Sequence, residues 1–439
     1  MKKLVTLLAA AGMLVSAAAP ASAVDVKVDA RYRFSFQTGE TGFGGMNEEN
    51  VNHRLRLGLT FAASENLSGY ANFQFGTEKW GTTNDTNGHK EGDTVQTRMI
   101  YIDWKVPATS IKVRMGRQNI GLPADAFGDN GVISGSWGTK DGIALTAPVT
   151  DWLGLSAMWV RVASDATGDV DTDKNDDLFG VAANLKFNGV SGSVYGAYAA
   201  LDGSGKFGVQ HENIKGANFE VTHGNAWWIG ATATVSYFDP FTLKLSAAYG
   251  SFESSLAKTD QPETSGWNVQ AKASYKTAFG TPVLGAWYFS GNDKDGDGLM
   301  PSLGGYFRPT RAYHDGAPGL NGGIGLGLPS GNWGVQAGIE KVSFLQGLTH
   351  DFLVTYIEGT NDSKWTPENS AGDSLNYWYL TEDDSLVSFD LINTYQIYKN
   401  LAAHLQLSYI LSDFEAGDAT THKLNEDDWA AELTFEYKF

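Results

Sequence analysis

From Trp429 to Phe439 the odd positions are all apolar (Trp429, Ala431, Leu433, Phe435, Tyr437, Phe439), while Glu432, Thr434, Glu436 and Lys438 take even positions. Side chains of a strand point alternately to its two faces, so this pattern predicts one strand with an apolar and a polar side. A run of that length crosses a bilayer when tilted, because a transmembrane strand needs about 9–11 residues. The same alternation opens the chain, where Val26, Val28, Ala30, Tyr32, Phe34 and Phe36 interleave with Lys27, Asp29, Arg31, Arg33 and Ser35. It recurs over His53–Phe61, Trp267–Tyr275 and Leu401–Leu411. Repetition makes a weak signal in any one segment specific for the whole.

The connections alternate too. Short ones fall near Ala63–Asn66, Pro107–Ser110, Pro148–Asp151, Asn188–Gly189, Asp239–Pro240, Thr277–Thr281, Ser343–Gly347 and Lys399–Asn400. Between them lie long ones, such as Gln37–Asn50, Asn119–Lys140, Asp202–Asn225 and Gly291–Ser330. The expected fold is all-β: a transmembrane antiparallel β-barrel of about 18 strands, with short periplasmic turns and long extracellular loops. Asp141–Ala147 and Trp152–Ala163 alternate weakly, which leaves 16 strands as the alternative. A barrel this wide keeps an aqueous lumen, whereas about eight strands would be filled by side chains. Aromatic residues gather at strand ends as interfacial girdles require, among them Trp104, Trp152, Trp227, Trp228, Tyr237, Phe238, Phe241, Trp333, Tyr395 and Tyr398.

Composition narrows the class. The chain has 52 glycines, 13 Trp, 18 Tyr, 23 Phe and no cysteine in 439 residues, and its mean hydropathy is −0.25. Glycine stands well above the usual ~7%, and aromatic content is high beside modest hydropathy, as suits strands with one wet face. Without disulfides, an exported fold must rest on a closed hydrogen-bond network. Lys2 and Lys3, the apolar stretch Leu4–Val15 and Ala21-Ser22-Ala23 read as a signal peptide over residues 1–23, leaving 24–439 as the barrel domain. A net charge of −18 argues against nucleic acid as a partner.

Seven of the ten arginines fall within the first 117 residues. Arg31, Arg33, Arg54, Arg56, Lys112 and Arg114 take the polar phase of their strands. Lipid-facing arginine costs ~2–4 kcal/mol, so these side chains are expected on the lumen wall. Arg98 shares the phase of Ile100, Ile102 and Trp104 and is expected at a rim or a subunit interface. Arg117 joins the luminal set through a slip of strand phase near Gly116. Asp293, Asp295 and Asp297 match DxDxDG, the opening of a calcium loop, but Gly304 stands where a bidentate Glu is expected. Calcium and an Asp/Gly-rich surface turn are both open there. No HExxH, GxSxG or cysteine nucleophile is present, and no required cofactor is expected.

These features together resemble the general-diffusion porins of Gram-negative bacteria and, more narrowly, the homotrimeric porins of sulfate-reducing bacteria. Met115-Gly116-Arg117-Gln118 followed by Leu122-Pro123-Ala124-Asp125-Ala126-Phe127-Gly128-Asp129 is similar to the porin strand that leads into a constriction loop, here about 119–140. The resemblance implies an outer-membrane homotrimer in contact with lipid and lipopolysaccharide, passing ions and small hydrophilic solutes passively. It also implies that Asp125 and Asp129 face Arg31, Arg33, Arg54, Arg56, Arg114 and Arg117 across the pore, and that Phe439 is an assembly signal. The sign of selectivity stays open, since an acidic chain carries a basic wall. The alternatives are a substrate-selective channel for a sugar or an anion, and a barrel hydrolase.

Overall fold

The computed structural model describes residues 24–40, 49–80, 95–128, 139–164, 175–202, 209–210, 220–221, 223–255, 263–293, 297–302, 307, 331–363, 380–413 and 428–439. The chain opens with β1 (Asp25–Glu40), β2 (Asn50–Ser64), β3 (Leu67–Lys79), β4 (Gln96–Lys105) and β5 (Lys112–Gln118). Then come β6 (Lys140–Pro148), β7 (Leu153–Ser164), β8 (Asn175–Phe187) and β9 (Val190–Asp202). Two short strands, β10 (Val209–Gln210) and β11 (Glu220–Val221), pair with each other. After them lie β12 (His223–Val235), β13 (Phe241–Ser254), β14 (Thr264–Tyr275), β15 (Thr281–Phe289) and β16 (Asn332–Leu345). The last are β17 (Leu348–Gly359), β18 (Ser385–Tyr398), β19 (Leu401–Asp413) and β20 (Asp428–Lys438).

Barrel strands run antiparallel to their neighbours, β9 pairs with β12, and β1 pairs with β20, so the described residues form a closed sheet of 18 strands. Closure leaves no edge with unpaired backbone groups. The two weakly alternating segments are strands β6 and β7, in register from Asp141↔Arg161 to Pro148↔Gly154, which decides for eighteen over sixteen. The short connections gather at one rim and the long ones at the other. At the turn between β8 and β9, Gly189 has φ +68°, and a Cβ there would lie 2.7 Å from the Cα of Tyr237. The Asn188-Gly189 pair therefore suits a tight turn that needs left-handed backbone.

The predicted phases sort the two faces. Ile100, Ile102 and Trp104 on β4, Phe179 and Val181 on β8, Ile229 on β12 and Val335 on β16 are exposed and point outward. Near the long-loop rim, Phe179, Tyr198 and Trp227 are successive cross-strand partners, and Trp227 packs 5.4 Å from Tyr249. Near the short-turn rim, Trp152 stacks on Phe187 and Tyr237 meets Phe238 edge-on. Trp228 departs from the girdle expected of it. Being one residue from Trp227 it takes the opposite face, where it is 2% exposed and its Nε1 donates to the carbonyl of Pro301 at 2.7 Å.

That inward position shows where the apolar core sits. Trp228, Phe252, Leu178, Val160 and Leu201 on the lumen wall bury themselves against Ile120 of one long loop and Met300 of another. A second cluster joins Trp287, Phe289, Ile357, Leu386 and Ile410 to Phe307 and Leu380, with Phe127 packed against it. Loop residues thus fold into the barrel and cover its apolar inner patches, which would otherwise face water. The luminal side of β7–β9 and β12–β19 is therefore partly filled from the long-loop end.

Candidate functional site

The arginine pairs read from strand phase are cross-strand partners: Arg31 opposes Arg56, and Arg33 opposes Arg54, on β1 and β2. Like charges so placed repel unless an opposite charge or water intervenes. Glu436 of β20 supplies one such charge, with its Oε2 2.5 Å from Arg33 Nε and 3.8 Å from Arg31 Nη1. Lys438 Nζ lies 2.5 Å from the other oxygen of Glu436. Arg56 Nε donates to Gln74 Oε1 at 2.8 Å.

Arg98 joins this group, contrary to its expected place at a rim or interface. The register between β3 and β4 shifts between Asn72↔Met99 and Phe73↔Thr97, which leaves Arg98 as the extra residue of a bulge. A bulge re-aims the side chain that regular alternation would send outward. Arg56 accordingly lies in the repulsive field of Arg54, Arg98, Arg31 and Arg33. Five guanidiniums thus converge on the inner face of three strands that neighbour one another or are separated by β3.

Loop residues 119–128 run from β5 across the inner wall to β13–β15. The Ala126 N–H donates to Ser246 Oγ at 3.0 Å, and Gln270 Nε2 donates to Asp125 Oδ2 at 3.1 Å. The other Asp125 oxygen accepts the N–H groups of Phe127 and Gly128 at 2.9 and 3.0 Å. Phe127 packs edge-on against Trp287 and Phe307, each 5.3 Å away, and lies 5.7 Å from Lys272 Nζ. The loop does enter the lumen, as expected. The Asp125 carboxylate engages its own turn and Gln270, because a short acidic side chain readily accepts from backbone N–H groups two and three residues on. Asp129 lies outside the described residues.

The remaining candidates divide. Lys112 is exposed on the inner phase near the short-turn rim, opposite Lys105. Arg114 also faces inward but is held in a two-point contact with Asp103, at 2.6 and 2.8 Å, and lies 4.0 Å over the Tyr101 ring. Arg117 does not face the lumen. Register runs unbroken through Gly116, so no slip reverses its phase, and Arg117 stands between Ile100 and Asp141 on the outward face, 2.9 Å from the Asp141 carboxylate. Gly116 has φ +125°, and a Cβ there would meet the Ile100 carbonyl at 2.4 Å; it bends the strand without adding a residue. Asp293 and Asp297 are exposed, the Asp297 carbonyl accepts from Ser265 N–H at 3.2 Å, and Asp295 lies outside the described residues. Among the described residues no three acidic, histidine or cysteine side chains gather as a metal site. The Phe439 and Ala30 backbones exchange hydrogen bonds of 2.7 and 3.0 Å.

Sequence reading missed two members of the basic wall's surroundings. Glu436 was visible on the polar phase of the last strand, but its place beside Arg33 needed the closing register. The bulge that turns Arg98 inward left no mark in local composition.

Comparison with known proteins fits this geometry. A family model described as Gram-negative porin matches residues 7–413. No curated protein matches the sequence. Among solved structures, Pseudomonas aeruginosa OpdL is similar with a TM-score of 0.58 at 15% identity, covering 94% of this chain and 99% of that one. Pseudomonas aeruginosa OccK1 (OpdK) gives 0.57 at 13% identity with 94% and 98% covered, and OpdK with vanillate gives 0.57 at 14% over the same shares. At such identities the likeness to these structures is one of fold.

Proposed function

Because the chain belongs to the Gram-negative porin family and forms an outer-membrane channel for small-solute diffusion, we propose that its lumen favours anions at the Arg31–Arg33–Arg54–Arg56–Arg98 wall. The convergence of five guanidiniums carries this reading. Each unit charge ~10 Å from a passing ion contributes ~0.4 kcal/mol even in water, so several together shift the local ion ratio severalfold. OpdK, a neighbour of this fold, was solved with vanillate, a carboxylate, and an organic anion of that size suits a basic wall of this kind.

The channel is passive and does no chemistry. Ions and small hydrophilic solutes cross it down their gradients, residues 1–23 are removed on export, and the barrels assemble as trimers in lipid and lipopolysaccharide. Asp125 acts as the anchor of the inserted loop, and Arg114 is a structural partner of Asp103. The test is reversal potential in a KCl gradient across a planar bilayer. Wild type should prefer chloride, and Arg54→Gln with Arg56→Gln should move the potential toward cations. An unchanged potential would remove these residues from the selective region.

A further inference from the structure

Beneath the inserted loop the lumen wall carries a row of uncharged polar side chains. Asn184 on β8, Ser193 on β9, Thr232 on β12, Ser246 on β13 and Gln270 on β14 are successive cross-strand partners on the inner face. The row divides in use. Ser246 and Gln270 hold Ala126 and Asp125 of the loop. Asn184, Ser193 and Thr232 instead line a cavity of ≈ 530 Å³, whose other side is Leu122, Pro123 and Ala124 of the same loop.

The polar side is organised. Ser193 donates its hydroxyl to Asn184 Oδ1 at 2.8 Å, and Asn184 Nδ2 donates to Ser156 Oγ at 3.4 Å. The amide is thereby oriented, while Ser191, Thr232 and Thr234 line the cavity with further hydroxyls. Among the described residues no charged side chain lines it. Lys186 and Lys244 stand at the two ends of the next row, opposite Ser191 and Thr234 respectively. One side thus presents donors and acceptors, and the other presents aliphatic carbon.

We infer that this cavity is a binding subsite for an uncharged polyhydroxylated solute of hexose size, distinct from the arginine wall. Hydroxyl groups of such a solute alternate donor and acceptor roles, matching Asn184, Ser193 and Thr232, and its C–H face fits Leu122, Pro123 and Ala124. A charged solute would shed water there without gaining a counter-charge. The volume lies in the range of small-molecule sites, ~300–1,000 Å³.

The inference rests on the channel reading, and the experiment separates the two. Single channels in symmetric KCl are titrated with glucose, using at matched viscosity a polyethylene glycol too large to enter. Glucose should reduce the current in a saturable way beyond the polymer control. Thr232→Val with Ser193→Ala should weaken that block roughly tenfold, as expected for losing one or two hydrogen bonds of ~0.5–1.5 kcal/mol each, with sugar-free conductance kept. Ser193→Ala alone reads the same effect should the double variant not insert. Arg54→Gln with Arg56→Gln should leave the block intact. Glucose acting no more than the polymer overturns the subsite while leaving the channel standing. Block by gluconate alone, abolished by Lys186→Gln with Lys244→Gln, overturns the uncharged class.

Discussion

Arg33 and Glu436 face each other across the seam between first and last strands, Nε 2.5 Å from Oε2, although they are 403 positions apart in sequence. The contact closes the barrel and also places the carboxylate found beside Arg31 and Arg33 inside the basic wall. Glu436→Gln should therefore raise anion preference. One charge at ~10 Å in water shifts each ion about twofold and in opposite senses, so the chloride-to-potassium permeability ratio should change about fourfold. A reversal potential shifted toward cations would contradict the placement.

Arg98 and Arg117 each take the face opposite to the one expected of them, and this makes a paired test. Arg98→Gln should move the reversal potential toward cations, since its bulge turns it among Arg31 and Arg56. Arg117→Gln should leave selectivity unchanged, because its partner Asp141 is 63% exposed and both stand on the outward face. Equal shifts in the two variants would refute the bulge as the cause.

Asp125 is predicted to act through the loop. Asp125→Asn keeps the size but loses a charge from the contacts with Phe127, Gly128 and Gln270. Hydrogen bonds to a charged group contribute ~1.5–3 kcal/mol, so the loop should leave the β13–β14 wall at least tenfold more often. Single-channel records should show more frequent excursions to higher conductance. A quiet trace with altered selectivity would assign Asp125 to the solute path instead.

Closure predicts resistance to unravelling. Unboiled protein in detergent should migrate faster than boiled protein, and its circular dichroism should be that of strand, because no edge is open to start disassembly. Identical mobilities would argue against a closed sheet.

Strand number, the division into short and long connections, and the luminal facing of Arg31, Arg33, Arg54 and Arg56 were legible in the sequence, because period two fixes both length and face. Trp228 was legible in principle, since it cannot share a face with Trp227. Its use inside the barrel was hidden, as it depends on Met300 and Pro301 arriving from another loop. Arg98 was illegible because a bulge belongs to a pair of strands and not to one. Asp125 was ambiguous for a different reason. An aspartate three residues before a glycine serves equally as a turn acceptor or as a charge aimed at the lumen, and the contact with Gln270 marks its use here.

The backbone exchange between Ala30 and Phe439 fixes the order in which the molecule can come into being. β1 meets β2 as soon as both exist, but its second neighbour, β20, is synthesised only after every other strand of the barrel. Until then the leading strand is half-dressed, and nothing local can complete it. Closure is a single late event requiring β1 and β20 together, and contacts of such sequence separation form slowly. A nascent chain of this kind has to be kept from pairing its exposed flank with a stranger for the whole time of its synthesis and export.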